Sequence, residues 1–130
     1  MYSEIVNDHF KSPRHVGELP NPDAVGTAGV PGQGNYMVVH LNIRDGRITD
    51  IGFLTYGCPG AVASGSVITE MALGLTLQQA MSITSAQILE NLGGLPLGKR
   101  HCPGLAVAAL QAAISEAAQA PSNGGPSNSA

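Results

Sequence analysis

Tryptophan is absent from this 130-residue chain, and all aromatics together make up only 4% of it. A core built from it is therefore aliphatic and alanine-rich, drawn from a hydrophobic fraction of 43%. Charge is also scarce, at 12% of residues with a net charge of −3. That balance leaves no basic footprint for nucleic acid. No apolar run reaches the roughly 20 residues that cross a bilayer. The opening residues Met1-Tyr2-Ser3-Glu4-Ile5-Val6-Asn7-Asp8 carry neither the basic start and apolar core of a secretory signal nor the Arg-rich character of a transit peptide. The expectation is a soluble cytoplasmic protein with no nucleic-acid or membrane partner. Cysteine is limited to Cys58 and Cys102. In such a compartment two thiols are expected as free groups or metal ligands before a structural bridge.

The two cysteines open the same short phrase, Cys58-Pro59-Gly60-Ala61 and Cys102-Pro103-Gly104-Leu105, and each phrase runs into a stretch that reads as helix. Proline suits the first helical position because its missing N–H has no partner there anyway. A thiol at such an N-terminus meets unpaired N–H groups and the positive end of the helix dipole, which favour the thiolate. His101 stands beside Cys102. Two readings stay open on spacing alone. Cys58, His101 and Cys102 are three of the four ligands of a tetrahedral site for zinc, or for iron with sulfide. Alternatively, both cysteines are small, half-buried apolar residues. His9, His15 and His40 read as capping, solvent-facing or strand-face residues. The acids Asp8, Glu70, Glu90 and Glu116 are scattered and suggest solvated faces, not an acid–base pair. The glycines from Gly29 to Gly34 neither follow a strong strand nor open a helix, which argues against a phosphate loop.

The pattern along the chain predicts one α+β domain: a small three-stranded antiparallel sheet with helices packed on one face. Residues 2–10 read as a short helix with Ile5, Val6 and Phe10 on one side, ended by Ser12-Pro13. Met37, Val39, Leu41 and Ile43 alternate with Tyr36, Val38, His40 and Asn42, and Arg44-Asp45-Gly46-Arg47 is a hairpin turn leading to a partner strand over 48–56. Val25 to Val30 adds an edge strand. Helices are predicted over 59–73, from Thr76 as an N-cap with Gln79 at capping-box spacing, over 82–92, and over 103–119. The domain is expected to span 1–119. Residues 120–130, rich in Pro, Ser, Asn and Gly, are expected to be disordered.

Several segments in order carry a family resemblance: Asp8-His9-Phe10-Lys11-Ser12-Pro13-Arg14-His15-Val16-Gly17, Thr55-Tyr56-Gly57-Cys58, Thr69-Glu70, and Lys99-Arg100-His101-Cys102. From about Tyr2 to Ala118 the chain resembles the iron–sulfur cluster assembly scaffolds of the IscU type and the N-terminal domain of NifU. The resemblance implies a carrier, not an enzyme. Such proteins hold a nascent [2Fe–2S] cluster, take sulfur from a cysteine desulfurase and pass the cluster to acceptor proteins, and they are usually monomers or weak oligomers. It maps the family's second cysteine to Cys58, its histidine to His101 and its third cysteine, the sulfur acceptor, to Cys102. Iron or a [2Fe–2S] cluster is the implied cargo, with zinc possible in the isolated protein.

The chain departs from that family at two places. The family's Pro-x-Cys-Gly-Asp turn reads Pro31-Gly32-Gln33-Gly34-Asn35 here, so a thiolate and a carboxylate are replaced by two amides. Amide oxygens are poor ligands for soft iron–sulfide chemistry, so Gln33 and Asn35 are expected to line the site. The family's chaperone-binding Leu-Pro-Pro-Val-Lys reads Leu95-Pro96-Leu97-Gly98-Lys99, which weakens the expected chaperone interaction. The alternatives are a cluster-free sulfur carrier or dithiol redox module, and a degenerate regulatory member that keeps the fold and the partner surface.

Overall fold

The computed structural model describes residues 4–30, 34–56, 59–95 and 102–119. Gln33, Cys58 and His101 lie outside the described residues, as does the expected tail.

The hairpin forms as its sequence dictates. Strands β2 (Tyr36–Arg44) and β3 (Arg47–Tyr56) are joined by Asp45 and Gly46 at φ 54° and 76°, the two positive values of a tight hairpin turn. Strand β1 (Ala24–Ala28) pairs antiparallel with β2, giving the order β1-β2-β3. It starts and stops slightly earlier than expected, because Gly29 turns the chain at φ 84°. Met37, Val39, Leu41, Ile51 and Phe53 are buried on the sheet's inner face.

Helices α2 (Pro59–Ala72) and α5 (Cys102–Gln119) cover that face. Both lie very close to it. A Cβ on Gly65 would come within 2.4 Å of the Phe53 ring, and one on Gly26 would come within 2.1 Å of the Ala113 nitrogen. Glycine at these two crossings is what lets the layers meet. Short helices α3 (Leu77–Met81) and α4 (Ser85–Asn91) each start with a full capping box, Thr76/Gln79 and Thr84/Gln87. The α4 helix begins at Ser85, later than the expected 82, because Thr84 takes the cap.

The first helix, α1 (Glu4–Lys11), corrects the sequence reading. It buries Val6 and His9, while Ile5 and Phe10 stay 45% and 44% exposed. The roll follows from the polar partner that His9 finds on α2. Beyond α1, the His15 C=O accepts from the Phe53 N–H (3.0 Å) and the Gly17 N–H donates to the Phe53 C=O (2.9 Å). This parallel bridge covers the outer edge of β3, which would otherwise be open to pairing with other chains. The same crossing buries His40, expected on an open polar face; its Nδ1 accepts from the Leu19 N–H at 3.3 Å. Among the described residues, no helix is long and apolar enough to cross a membrane.

Candidate functional site

The direction of α5 decides which end of the domain its first residue occupies. The middle of α5, Ala109 to Ala113, lies over Gly26, and Glu116 further along accepts from the Val25 N–H at 2.7 Å. The helix therefore runs antiparallel to β1, and its N-terminus points toward the Ala28 end. Ala28 pairs with Met37, next to the start of β2. From that crossing, α5 extends about 13 Å back to Cys102. Over the same length, β2 extends about 13 Å from Val39, the partner of Gly26, to Asn35. The start of α5, with Cys102, and the start of β2, after Asn35, thus lie toward the same end of the domain. Tyr36 pairs with Tyr56, so β3 ends there too, shortly before α2 begins at Pro59.

Of the sequence-predicted site residues, Cys102 and Asn35 are described. Cys102 opens α5 as expected, but it is fully buried at 0% exposure and belongs to the core. Asn35 is half-buried. Gln33, Cys58 and His101 lie outside the described residues, although each is adjacent in sequence to a residue at this end. Gly34, beside Gln33, has φ 92° and open space where a Cβ would be. Among the described residues, no three His, Cys, Asp or Glu side chains gather to hold a metal ion.

The same end carries a latch on each face of the sheet. Tyr36 and Tyr56 meet edge to face with centroids 5.3 Å apart. The Thr55 hydroxyl, on the inner face, donates to the Tyr36 carbonyl.

A second polar cluster ties α1 to α2, and the sequence reading missed it. His9 Nδ1 and Ser66 Oγ share a buried hydrogen bond of 2.7 Å, and the Arg14 N–H donates to the same hydroxyl oxygen at 2.9 Å. With Ser66 accepting from Arg14, we assign its proton to His9 Nδ1, leaving Nε2–H toward Glu70 at 3.8 Å. The Arg14 guanidinium donates to Asp8 at 2.7 Å and lies 3.6 Å from Glu70. Burial, seconded by the Arg14 charge, pushes the His9 pKa below its usual 6.5; Glu70 and Asp8 oppose this. The hydrogen bond from Arg14 pulls Asp8 below the usual carboxylate value. His15, at φ 61°, shares a 3.0 Å hydrogen bond with Thr69. The only trace of this cluster in the sequence is that its His and Arg stand five positions apart, facing a helix with polar Ser66, Thr69 and Glu70 at near-helical spacing.

Comparison with known proteins agrees with this geometry. Residues 1–122 match the family described as the NifU-like N terminal domain. The chain is 48% identical over 114 residues to an iron-sulfur cluster assembly scaffold protein IscU of Archaeoglobus fulgidus, covering 88% of this chain and 74% of that one. It is 42% identical over 119 residues to the scaffold protein IscU of Escherichia coli, covering 88% and 92%. The N-terminal part of a NifU-like protein from Brucella abortus has the same fold, with a TM-score of 0.69 at 23% identity over 90% of this chain and 94% of that one.

Proposed function

The chain belongs to the NifU-like N-terminal domain family, and from that premise we propose that it is an iron–sulfur cluster assembly scaffold. In this reading a nascent [2Fe–2S] cluster, or iron, is cargo bound by Cys58, His101 and Cys102, with Gln33 and Asn35 lining the site. A cysteine desulfurase supplies the sulfur and acceptor proteins take the product. The observation that supports it best is that α5 opens with Cys102 toward the end of the domain where β2 starts and β3 stops.

Sulfur acceptance in this reading is a thiolate exchange. The Cys102 thiolate attacks the terminal sulfur of the donor's persulfide. The donor's S–S bond breaks, the donor leaves as a thiolate, and Cys102 carries the sulfur with no net oxidation. Because Cys102 is fully buried, the first turn of α5 must open to expose it. Zinc in the isolated protein occupies the same three ligands. A cluster-free sulfur carrier is the second reading, favoured by Gln33 standing where the family has its first cysteine.

Anaerobic reconstitution with ferrous iron, sulfide and a desulfurase separates the two. Sulfide-to-iron charge-transfer bands in the parent, lost in Cys58→Ser and in Cys102→Ser, are the expected result. Bands that appear only after Gln33→Cys would leave the carrier reading in place.

A further inference from the structure

The two edges of the sheet are closed by different means. Along β3 the main chain does it. The Ile48 N–H donates to the Leu75 C=O, the Ile48 C=O accepts from the Gly74 N–H, and Phe53 is bridged to His15 and Gly17. At β1 a side chain does it. Glu116, an exposed residue of α5, reaches the edge, and its Oε1 accepts from the Val25 N–H at 2.7 Å. Gly26, the next residue, lies directly against the α5 backbone at Ala109 to Ala113, so the helix holds the carboxylate close to the strand. Val25 therefore turns its main-chain groups away from β2, and by alternation Thr27 does the same. These two residues form the open edge. Gly29 turns the chain at one end of it, at φ 84°. At the other end Asp23 is tied to β2: its N–H donates to the Leu41 C=O and its carboxylate accepts from the Ile43 N–H.

An edge this short and uncharged is self-complementary. Turned antiparallel about Gly26, two β1 strands would set Val25 of each against Thr27 of the other and exchange about four hydrogen bonds. Glu116 opposes that pairing twice. It holds the N–H that the incoming strand needs. Pairing would also bring two copies of the carboxylate into one seam, each stripped of water and of its donor. We propose that Glu116 is an autoinhibitory contact: by occupying the Val25 N–H it withholds the β1 edge from strand pairing with a second copy of the chain. The guard needs no metal and no part of the scaffold reading.

The test compares the full chain with Glu116→Ala, and with Glu116→Ala combined with Thr27→Pro. Proline removes the outward N–H of Thr27 while its φ suits an edge strand, so it blocks pairing and leaves the bonds to β2 in place. Amide exchange at Val25 in dilute protein reads the contact. Sedimentation velocity across roughly 10 µM to 1 mM reads its consequence. Glu116 is exposed, so the alanine variant keeps the fold, and unchanged exchange at the His40/Gly52 rung checks this in both variants. The expected result in Glu116→Ala is Val25 exchange faster by roughly two- to ten-fold. Its sedimentation coefficient rises with concentration where the parent's stays flat, and adding Thr27→Pro returns it to flat. Unchanged Val25 exchange overturns the inference. Faster exchange with a flat sedimentation coefficient also overturns it, reducing Glu116 to a local cap. Association that survives Thr27→Pro overturns it as well, because another surface then carries the contact, and so does a parent that associates as strongly as Glu116→Ala.

Discussion

Substituting Gly26→Ala tests how the domain holds α5, the helix that carries Cys102. A Cβ at this position would lie 2.1 Å from the Ala113 nitrogen, 2.5 Å from the Ala109 oxygen and 2.7 Å from the Ala112 carbonyl carbon. Each distance is well short of the roughly 3.5 Å at which such atoms rest in contact. All three are backbone atoms of one helix, so no side chain can rotate away. The helix itself must lift by about 1 Å. Ala106, Ala109, Leu110, Ala113 and Ile114 then separate from the core they fill, and the Glu116 contact to the Val25 N–H stretches. Overpacking of this kind costs about 1–3 kcal/mol, and rigid backbone on the far side puts the loss near about 3. The sign is decisive. Without a clash, alanine in a strand is better than glycine by about 0.5–1 kcal/mol. Urea unfolding followed by circular dichroism is the assay. The expected outcome is a lower midpoint at constant m, corresponding to a loss of about 3 kcal/mol. Equal or higher stability would refute the close crossing of α5 over β1, and with it the placement of Cys102 toward the Asn35 end of the domain.

Two further outcomes follow from particular residues. His9 has its pKa lowered in the fold, so the folded protein binds fewer protons than the unfolded chain below about pH 6.5. Stability contributed by neutral His9 is therefore fully present above that value and is lost as pH falls below it. Glu70, Asp8 and Arg14, which face it from α2, α1 and the following loop, modulate the slope. His9→Gln, which keeps a polar group for Ser66, should flatten the pH dependence of unfolding below pH 6.5; an unchanged slope would assign it to another group. At the start of α5, Gly104 is exposed with open space where a Cβ would stand. Gly104→Ala should stiffen the first turn by about 0.4–1 kcal/mol and slow alkylation of Cys102, measured in a Cys58→Ser background, by about two- to five-fold. Equal rates would mean that the buried thiol is reached by another opening.

What could be read from the sequence was local. The Asp45-Gly46 turn, the alternation of Met37, Val39 and Leu41, and the capping box at Thr76 are each written within a few residues, and each forms as expected. Features that need a distant partner could not be read. Gly26 looks like any small residue until α5 is laid over it. His9 looks like a helix-end histidine until Ser66, 57 positions away, supplies its partner. The bridge from residues 15–17 to Phe53 leaves no periodic mark in a Gly- and Pro-rich stretch. The site divides in the same way. The two cysteines and His101 are visible as residue types, and the roles proposed for them come from the family resemblance. That Cys102 and Asn35 lie toward the same end depends on strand register and helix direction, which appear only in the fold. The full burial of Cys102 was likewise not legible, because a Cys-Pro-Gly phrase fits an exposed helix tip equally well.

The proposed function requires that Cys58, His101 and Cys102 bind one metal together. X-ray absorption at the zinc edge, on the intact chain loaded with one equivalent of Zn²⁺, measures that most directly. Two sulfur scatterers at about 2.3 Å and one imidazole nitrogen at about 2.0 Å are expected, with one sulfur lost in Cys102→Ser. A coordination shell of nitrogen and oxygen alone, unchanged by that substitution, would contradict it.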